Sequence, residues 1–132
     1  MRVMGLDYGS TSLGVAVGNT ELGSAEAVAV VPVRAEIPDW PKLDALMREW
    51  SPRQVIVGMP YPHQPGHSRT VLTRAKKLRE RIEERYAIRC SVVDELLSSD
   101  EARRRAREIG RPGGERVDDI AAQIILETWM NG

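Results

Sequence analysis

The sequence predicts an α/β layer domain built on a mixed sheet, and three observations carry that expectation. The first third of the chain holds three β-branched-rich runs joined by short turns, which makes them antiparallel neighbours. Further along, strand-length apolar runs alternate with segments of helical spacing, the pattern of parallel strands joined by helical crossovers. With 132 residues there is room for one such domain, residues 1–132. A chain of this size buries about two-thirds of its unfolded surface, enough for a single core without disulfides or structural metal.

Arg2 to Tyr8, Leu13 to Gly18 and Ala25 to Val33 are the three opening strands, separated by GST and by TELGS. Ile37-Pro38-Asp39 is expected to end the strand pattern. Trp40, Leu43, Leu46, Met47 and Trp50 then recur at helical spacing behind Asp39, a natural N-cap, and Ser51-Pro52 stops that helix. Gln54 to Met59 is a continuous apolar run of strand length. From Pro60 onward, three prolines and a glycine in nine residues forbid regular structure, so YPHQPGH is a loop. Val71, Ala75, Leu78, Ile82 and Tyr86 mark one face of a long helix, and Arg89 to Asp94 supplies the fifth strand. Ser98 and Glu101 have the form of a capping box for a helix that Gly110 closes. After the Arg111-Pro112-Gly113-Gly114 connector, a last helix runs from about Arg116 to Met130, with Ile120, Ala121, Ile124, Ile125 and Thr128 on its packing side.

Charge narrows the classes of function. The chain carries 19 basic and 19 acidic side chains, so nothing resembles a histone-like binder held by bulk charge. The distribution is uneven, however: residues 69–116 contain 14 Lys or Arg against 9 Asp or Glu. Arg74, Lys77, Arg81 and Arg85 fall on one helical stripe, and Arg103 and Arg107 lie one turn apart on the next helix; such stripes bind phosphate backbones or are merely solvated faces. Cys90, the one cysteine, excludes an internal disulfide and a cysteine-based zinc module, and it reads as a small core residue. Asp7 interrupts the opening apolar run, leaving no secretory core there, and no run approaches transmembrane length. A cytoplasmic protein away from membranes is the expectation.

Three acidic positions fall where an α/β sheet exposes its ligand site: Asp7 at the end of the first strand, Asp94 or Glu95 at the end of the last, and Asp118 or Asp119 opening the final helix. Each has an ordinary role available, as a turn cap, a solvated loop acid or a partner for the helix dipole. Together they suit hard divalent cations, which take carboxylate oxygens and keep waters for a substrate phosphate. Two ions about 4 Å apart clamp the attacking and leaving oxygens of a phosphodiester.

On these residues the chain resembles the YqgF/RuvX family, a branch of the ribonuclease H-like superfamily related to the resolvase RuvC. LDYGSTSLGVAVG resembles its opening motif, VIVGMP its central strand and turn, VVDELLSSDEA its acidic motif and RVDDIAAQIILET its closing helix. The resemblance implies a ribonuclease H-like five-stranded mixed sheet, with Asp7, Glu95 and Asp118 as the acids that hold two Mg²⁺ or Mn²⁺ ions. It also implies a nuclease with water as nucleophile, acting on the 5′ end of precursor 16S ribosomal RNA or on four-way junction DNA. Ser10 and Thr11 would contact phosphate or orient Asp7, with Arg74, Lys77, Arg81, Arg103 and Arg107 along the nucleic acid. Cutting a junction symmetrically would call for a homodimer. Leu96, Ser98-Ser99 and the Tyr61 to Gly66 loop depart from the family's usual residues. A non-catalytic nucleic-acid module is one rival. An ATP-binding module of the same core is another, since DYGSTS also resembles the phosphate loop of sugar kinases and actin-like ATPases. Those enzymes close two such domains around the nucleotide. His63 and His67 in the proline loop, the packing tryptophans Trp40 and Trp50, and Trp129, read as a stacking or self-association contact, stay outside the candidate site.

Overall fold

The computed structural model describes residues 1–9, 11–60, 69–95 and 118–131. The chain order is β1 (Arg2–Tyr8), β2 (Ser12–Asn19), β3 (Ser24–Arg34), β4 (Ile37–Pro38), α1 (Trp40–Trp50), β5 (Gln54–Pro60), α2 (Arg69–Tyr86), β6 (Arg89–Glu95) and α3 (Asp118–Asn131). The proline loop with His63 and His67, and the helix expected to begin at Ser98, lie outside the described residues.

All six strands join one sheet in the order β4-β3-β2-β1-β5-β6. Each successive pair from β1 to β4 is antiparallel, whereas β5 runs parallel to both β1 and β6. The mixed sheet is therefore as expected, but among the described residues it has six strands where five were expected. The sixth is the Ile37-Pro38 pair, which the sequence pattern treats as a terminator. It bonds only to Val33 and Arg34 at the sheet's edge, where a proline needs no ladder N–H.

Burial follows strand alternation. On one face, Met4 and Leu6 of β1, Val15 of β2 and Val57 of β5 pack with Leu43 of α1 and Leu78 of α2. On the other, Val3, Ala16 and Ile56 pack under Ala122, Ile125 and Leu126 of α3, whereas Thr128, expected on the packing side, is exposed. β1 sits between these layers, so an apolar run on both faces suits it. Cys90 belongs to the first core and is 4% exposed. Trp40 and Trp50 pack against the same core, as expected. Trp129 is a correction: it packs inward against the α3-side core, because its place one turn beyond Ile125 turns it to the sheet.

Local signals set the ends of the helices. The Asp39 carboxylate accepts the Lys42 N–H at 3.3 Å, and Pro41 stands in the first turn, where its missing N–H costs nothing. Ser51, at φ 44°, closes α1 by donating its N–H to the Met47 carbonyl at 2.9 Å. Ala87, at φ 54°, ends α2 in the same way through the Glu83 carbonyl.

Candidate functional site

The ends of β1, β5 and β6 and the start of α3 meet at the carboxyl end of the parallel strands. Asp7, half-buried, lies in register between Gly14 of β2 and Gly58 of β5. A glycine therefore stands directly opposite it in both neighbouring strands. By alternation Asp7 belongs with Val3 and Gly5, on the α3 side of the sheet.

Two glycines let α3 lie close to this end. A Cβ on Gly5 would stand 3.0 Å from the Ala122 carbonyl oxygen and 3.1 Å from the Leu126 Cβ. One on Gly58 would run into Ile125. At the other end of the helix, Met130 and Asn131 approach Gly18 and Gly23, so α3 runs antiparallel to β1. From Ala122 back to Asp118 is about 6 Å of helix, and from Gly5 forward to Asp7 is about 6.6 Å of strand, so the first residue of α3 comes level with Asp7.

The same geometry separates the two acids that open α3. Position 118 is in line with Ala122 and Ile125, over β1 and β5. Asp119 is in line with Gln123, which bonds to the Ala25 carbonyl of β3 at 2.9 Å. Asp119 is 9% exposed, and its Oδ1 accepts the Ile120 N–H at 3.0 Å. The end of β6 divides likewise: Cys90 and Val92 pack toward α1 and α2, and Val93 toward α3. Position 94 thus falls in the Cys90 set and position 95 in the Val93 set, the set of Asp7. Pro60 pairs with Glu95 and Gly58 with Val93. The Glu95 backbone consequently lies two strands across and two residues beyond Asp7, roughly 11–12 Å between Cα atoms. The side chains of Glu95 and Asp118 lie outside the described residues, as do Ser10, Arg103 and Arg107. Among the described residues no three His, Cys, Asp or Glu side chains stand close enough to hold a metal. Thr11 is exposed in the turn after β1, where the Gly9 N–H bonds to the Ser12 carbonyl at 2.8 Å.

The basic stripe of α2 is less uniform than its spacing suggests. Arg74 Nη2 lies 2.6 Å from Glu36 Oε1, in the turn between β3 and β4. The Glu36 backbone oxygen also accepts the Tyr8 hydroxyl at 3.0 Å. Burial and Glu36 push the Tyr8 hydroxyl pKa up, against the opposing charges of Arg74 and Arg81. Lys77 and Arg81 line a shallow groove with Glu80, Glu83 and Glu84. Arg85 serves packing instead: its Nε and Nη2 donate to the two Asp44 carboxylate oxygens at 2.8 and 2.7 Å, and its guanidinium lies 4.9 Å from the Trp40 ring centroid. Tyr86 donates to Asp44 Oδ1 at 2.6 Å. These bonds hold the Asp44 carboxyl well below the usual carboxylate range, while burial and Asp44 push Tyr86 up. Sequence reasoning missed both Glu36 and Asp44, because their partners lie 38 and 41 residues away; a two-residue link between Val33-Arg34 and Ile37-Pro38 was the one local sign of the Glu36 turn.

A mixed sheet of this order, with helices on both faces, has the ribonuclease H-like fold of RuvC. The fold of Thermus thermophilus RuvC, solved in complex with a Holliday junction, matches with a TM-score of 0.58 at 15% identity, covering 98% of this chain and 94% of that one. The fowlpox virus resolvase in its junction complex matches with a TM-score of 0.56 at 15% identity, covering 99% and 97%. The chain belongs to the RuvX family, described as Holliday junction resolvase, whose model matches residues 1–132. Among its relatives, a Chromohalobacter salexigens protein named "Putative pre-16S rRNA nuclease" is 42% identical over 131 residues, covering 97% of this chain and 88% of the relative. A Marinobacter nauticus protein of the same name is 38% identical over 134 residues, covering 97% and 91%.

Proposed function

We propose that this chain hydrolyses phosphodiester bonds of nucleic acid, with precursor 16S ribosomal RNA, cut at its 5′ end, as the substrate. The observation that carries the reading is the convergence of Asp7, the first residue of α3 and the end of β6 at one end of the sheet, in a member of the RuvX family. The names of the relatives support the ribosomal substrate, and such a substrate fits a cytoplasmic location.

Asp7, Glu95 and Asp118 are the assigned catalytic acids. Their chemistry fits Mg²⁺ or Mn²⁺: hard carboxylate oxygens, from three backbone elements, with glycine on either side of Asp7. Two bound ions would supply a more acidic water and charge neutralisation for the leaving oxygen. The chain's own part is to fix the three acids by backbone packing: Asp7 between paired strands, Asp118 through the close seat of α3 on Gly5 and Gly58, and Glu95 through its register with Pro60. Alternation and helical line favour Glu95 over Asp94 and Asp118 over Asp119. Ser10 and Thr11 contact phosphate in the turn beside Asp7, and Lys77, Arg81, Arg103 and Arg107 neutralise the backbone beyond it.

Junction DNA is the second reading, favoured by the description of the family. Symmetric cutting of a junction requires two active sites and so a two-fold dimer, which sedimentation of the chain with junction would detect. One cleavage panel tests both substrates: precursor ribosomal RNA, unrelated single-stranded RNA and four-way DNA, each with Mg²⁺ or Mn²⁺. Asp7→Asn should abolish cleavage and keep binding, since it removes a ligand for the ions and no basic contact. Wild-type cleavage rates in Asp7→Asn would reject the mechanism, and preferential cutting of junctions over ribosomal precursor would move the assignment to DNA.

A further inference from the structure

Glu36 occupies a turn that does not suit it. Ala35 and Glu36 form the two-residue link between paired Arg34 and Ile37, with φ of 49° and 69°. Both central residues of such a hairpin turn are left-handed, a conformation that Gly, Asn and Asp adopt readily and other residues at a cost. The strain places two groups. Its backbone oxygen receives the hydroxyl of Tyr8, the residue after Asp7, and its carboxylate meets Arg74 at 2.6 Å. The Arg74 head is thereby held at the Asp7 end of the sheet, on the face away from α3. Both side chains remain solvent-accessible, at 37% and 52%, so a third group can reach the pair.

We infer that Glu36 is a specificity-determining residue that competes with nucleic-acid phosphate for Arg74, so that only a strand lying across the Tyr8 side of the sheet end gains that contact. This rests on the nuclease reading above and adds a residue to it. A phosphate and a carboxylate present the same paired oxygens to a guanidinium, so the two exchange without a change in Arg74 geometry. The exchange costs the existing ion pair, and loosely held backbones are therefore penalised relative to one placed on Arg74 by its other contacts.

The test measures binding of labelled single-stranded RNA and of a four-way DNA junction across a range of salt, in the Asp7→Asn background with Mg²⁺ so that nothing is cut. Glu36→Gln should tighten binding about 1.5- to 5-fold, the effect of releasing one exposed ion pair. It should also steepen the salt dependence for single strands by about 0.7 in log–log slope, one more phosphate contact. Glu36→Asn, which suits the turn, should do the same, so a gain in both variants does not come from a distorted hairpin. Adding Arg74→Ala should erase the gain, and Glu21→Gln, which removes the same charge in the β2–β3 turn at the far end of the sheet, should give none. A gain that survives without Arg74, an equal gain from Glu21→Gln, or no gain in either Glu36 variant overturns the inference while leaving the nuclease reading intact. Failure of every variant and of the wild-type chain to bind either nucleic acid overturns both.

Discussion

Replacing Gly58 by alanine tests whether the seat of α3 fixes the acids. The new Cβ would stand 2.9 Å from Ile125 Cγ1 and 3.2 Å from Cγ2, with Cδ1 closer still. Carbon atoms prefer about 3.5–4.0 Å, so Ile125 and the helix carrying it must retreat by about 1 Å or more. Ile125 is 5% exposed and has little free space to turn into. Overpacking of this kind costs about 1–3 kcal/mol, and for a chain of this length each kcal/mol lowers Tm by about 3–4 °C. Because α3 begins at Asp118, the same retreat should lower cleavage on the order of 100-fold, the usual cost of misplacing a reacting group by about 1 Å. Ile125→Ala alone should cost about 2–5 kcal/mol by opening a cavity. Combined with Gly58→Ala, the added methyl enters that cavity, so the pair should couple by about 1–3 kcal/mol in the compensating direction. Urea unfolding of the four proteins measures this cycle. An unchanged urea midpoint in Gly58→Ala, or the same penalty with and without the Ile125 side chain, would refute the argument that close approach at Gly58 sets the position of α3.

Further outcomes follow from the packing and the titrations. The Asp44 carboxyl titrates below its unfolded value, so the clamp on Arg85 and Tyr86 contributes fully above about pH 4 and is lost as pH falls through the folded value. Asp44→Asn should flatten the acid limb of a stability profile taken by urea titration, leaving a smaller slope below about pH 4. Tyr86→Phe removes one hydrogen bond to that carboxylate and should cost about 1 kcal/mol in the same assay. Burial pushes the Cys90 thiol up to about 12. It should therefore resist a thiol reagent at pH 8 in the folded protein and react on unfolding, a readout that rapid native labelling would contradict. Ala35→Gly relieves the left-handed strain at φ 49° and should raise stability by about 0.5 kcal/mol after the entropy lost from the unfolded chain, measured by thermal melts.

Much of the fold was legible because it is written in short-range chemistry. Alternation marked β1 from Arg2 to Tyr8, and Asp39 with Ser51-Pro52 bracketed α1, since capping and proline stops act within a turn of the chain. β4 escaped because two residues cannot show a period, and Pro38 usually marks an end. Trp129 was misplaced because one aromatic near a terminus carries no information about which face of its helix meets a sheet. At the site, Asp7 stood out as a charge ending an apolar strand, but the choice within each of the other acidic pairs came from resemblance. In the structure, position 95 shares the α3 side with Val93, and position 118 shares the line of Ala122 and Ile125.

The sequence alone determined which segments extend, which coil, and which carboxylates end up at segment termini, because backbone preference and hydrophobic period depend on neighbours a few residues away. Tertiary structure decided which charges meet. Spacing offered Arg74 and Arg85 as equal members of one basic stripe. Crossovers that return β4 and α1 beside α2 instead give one of them Glu36 and the other Asp44, partners that no local pattern can name.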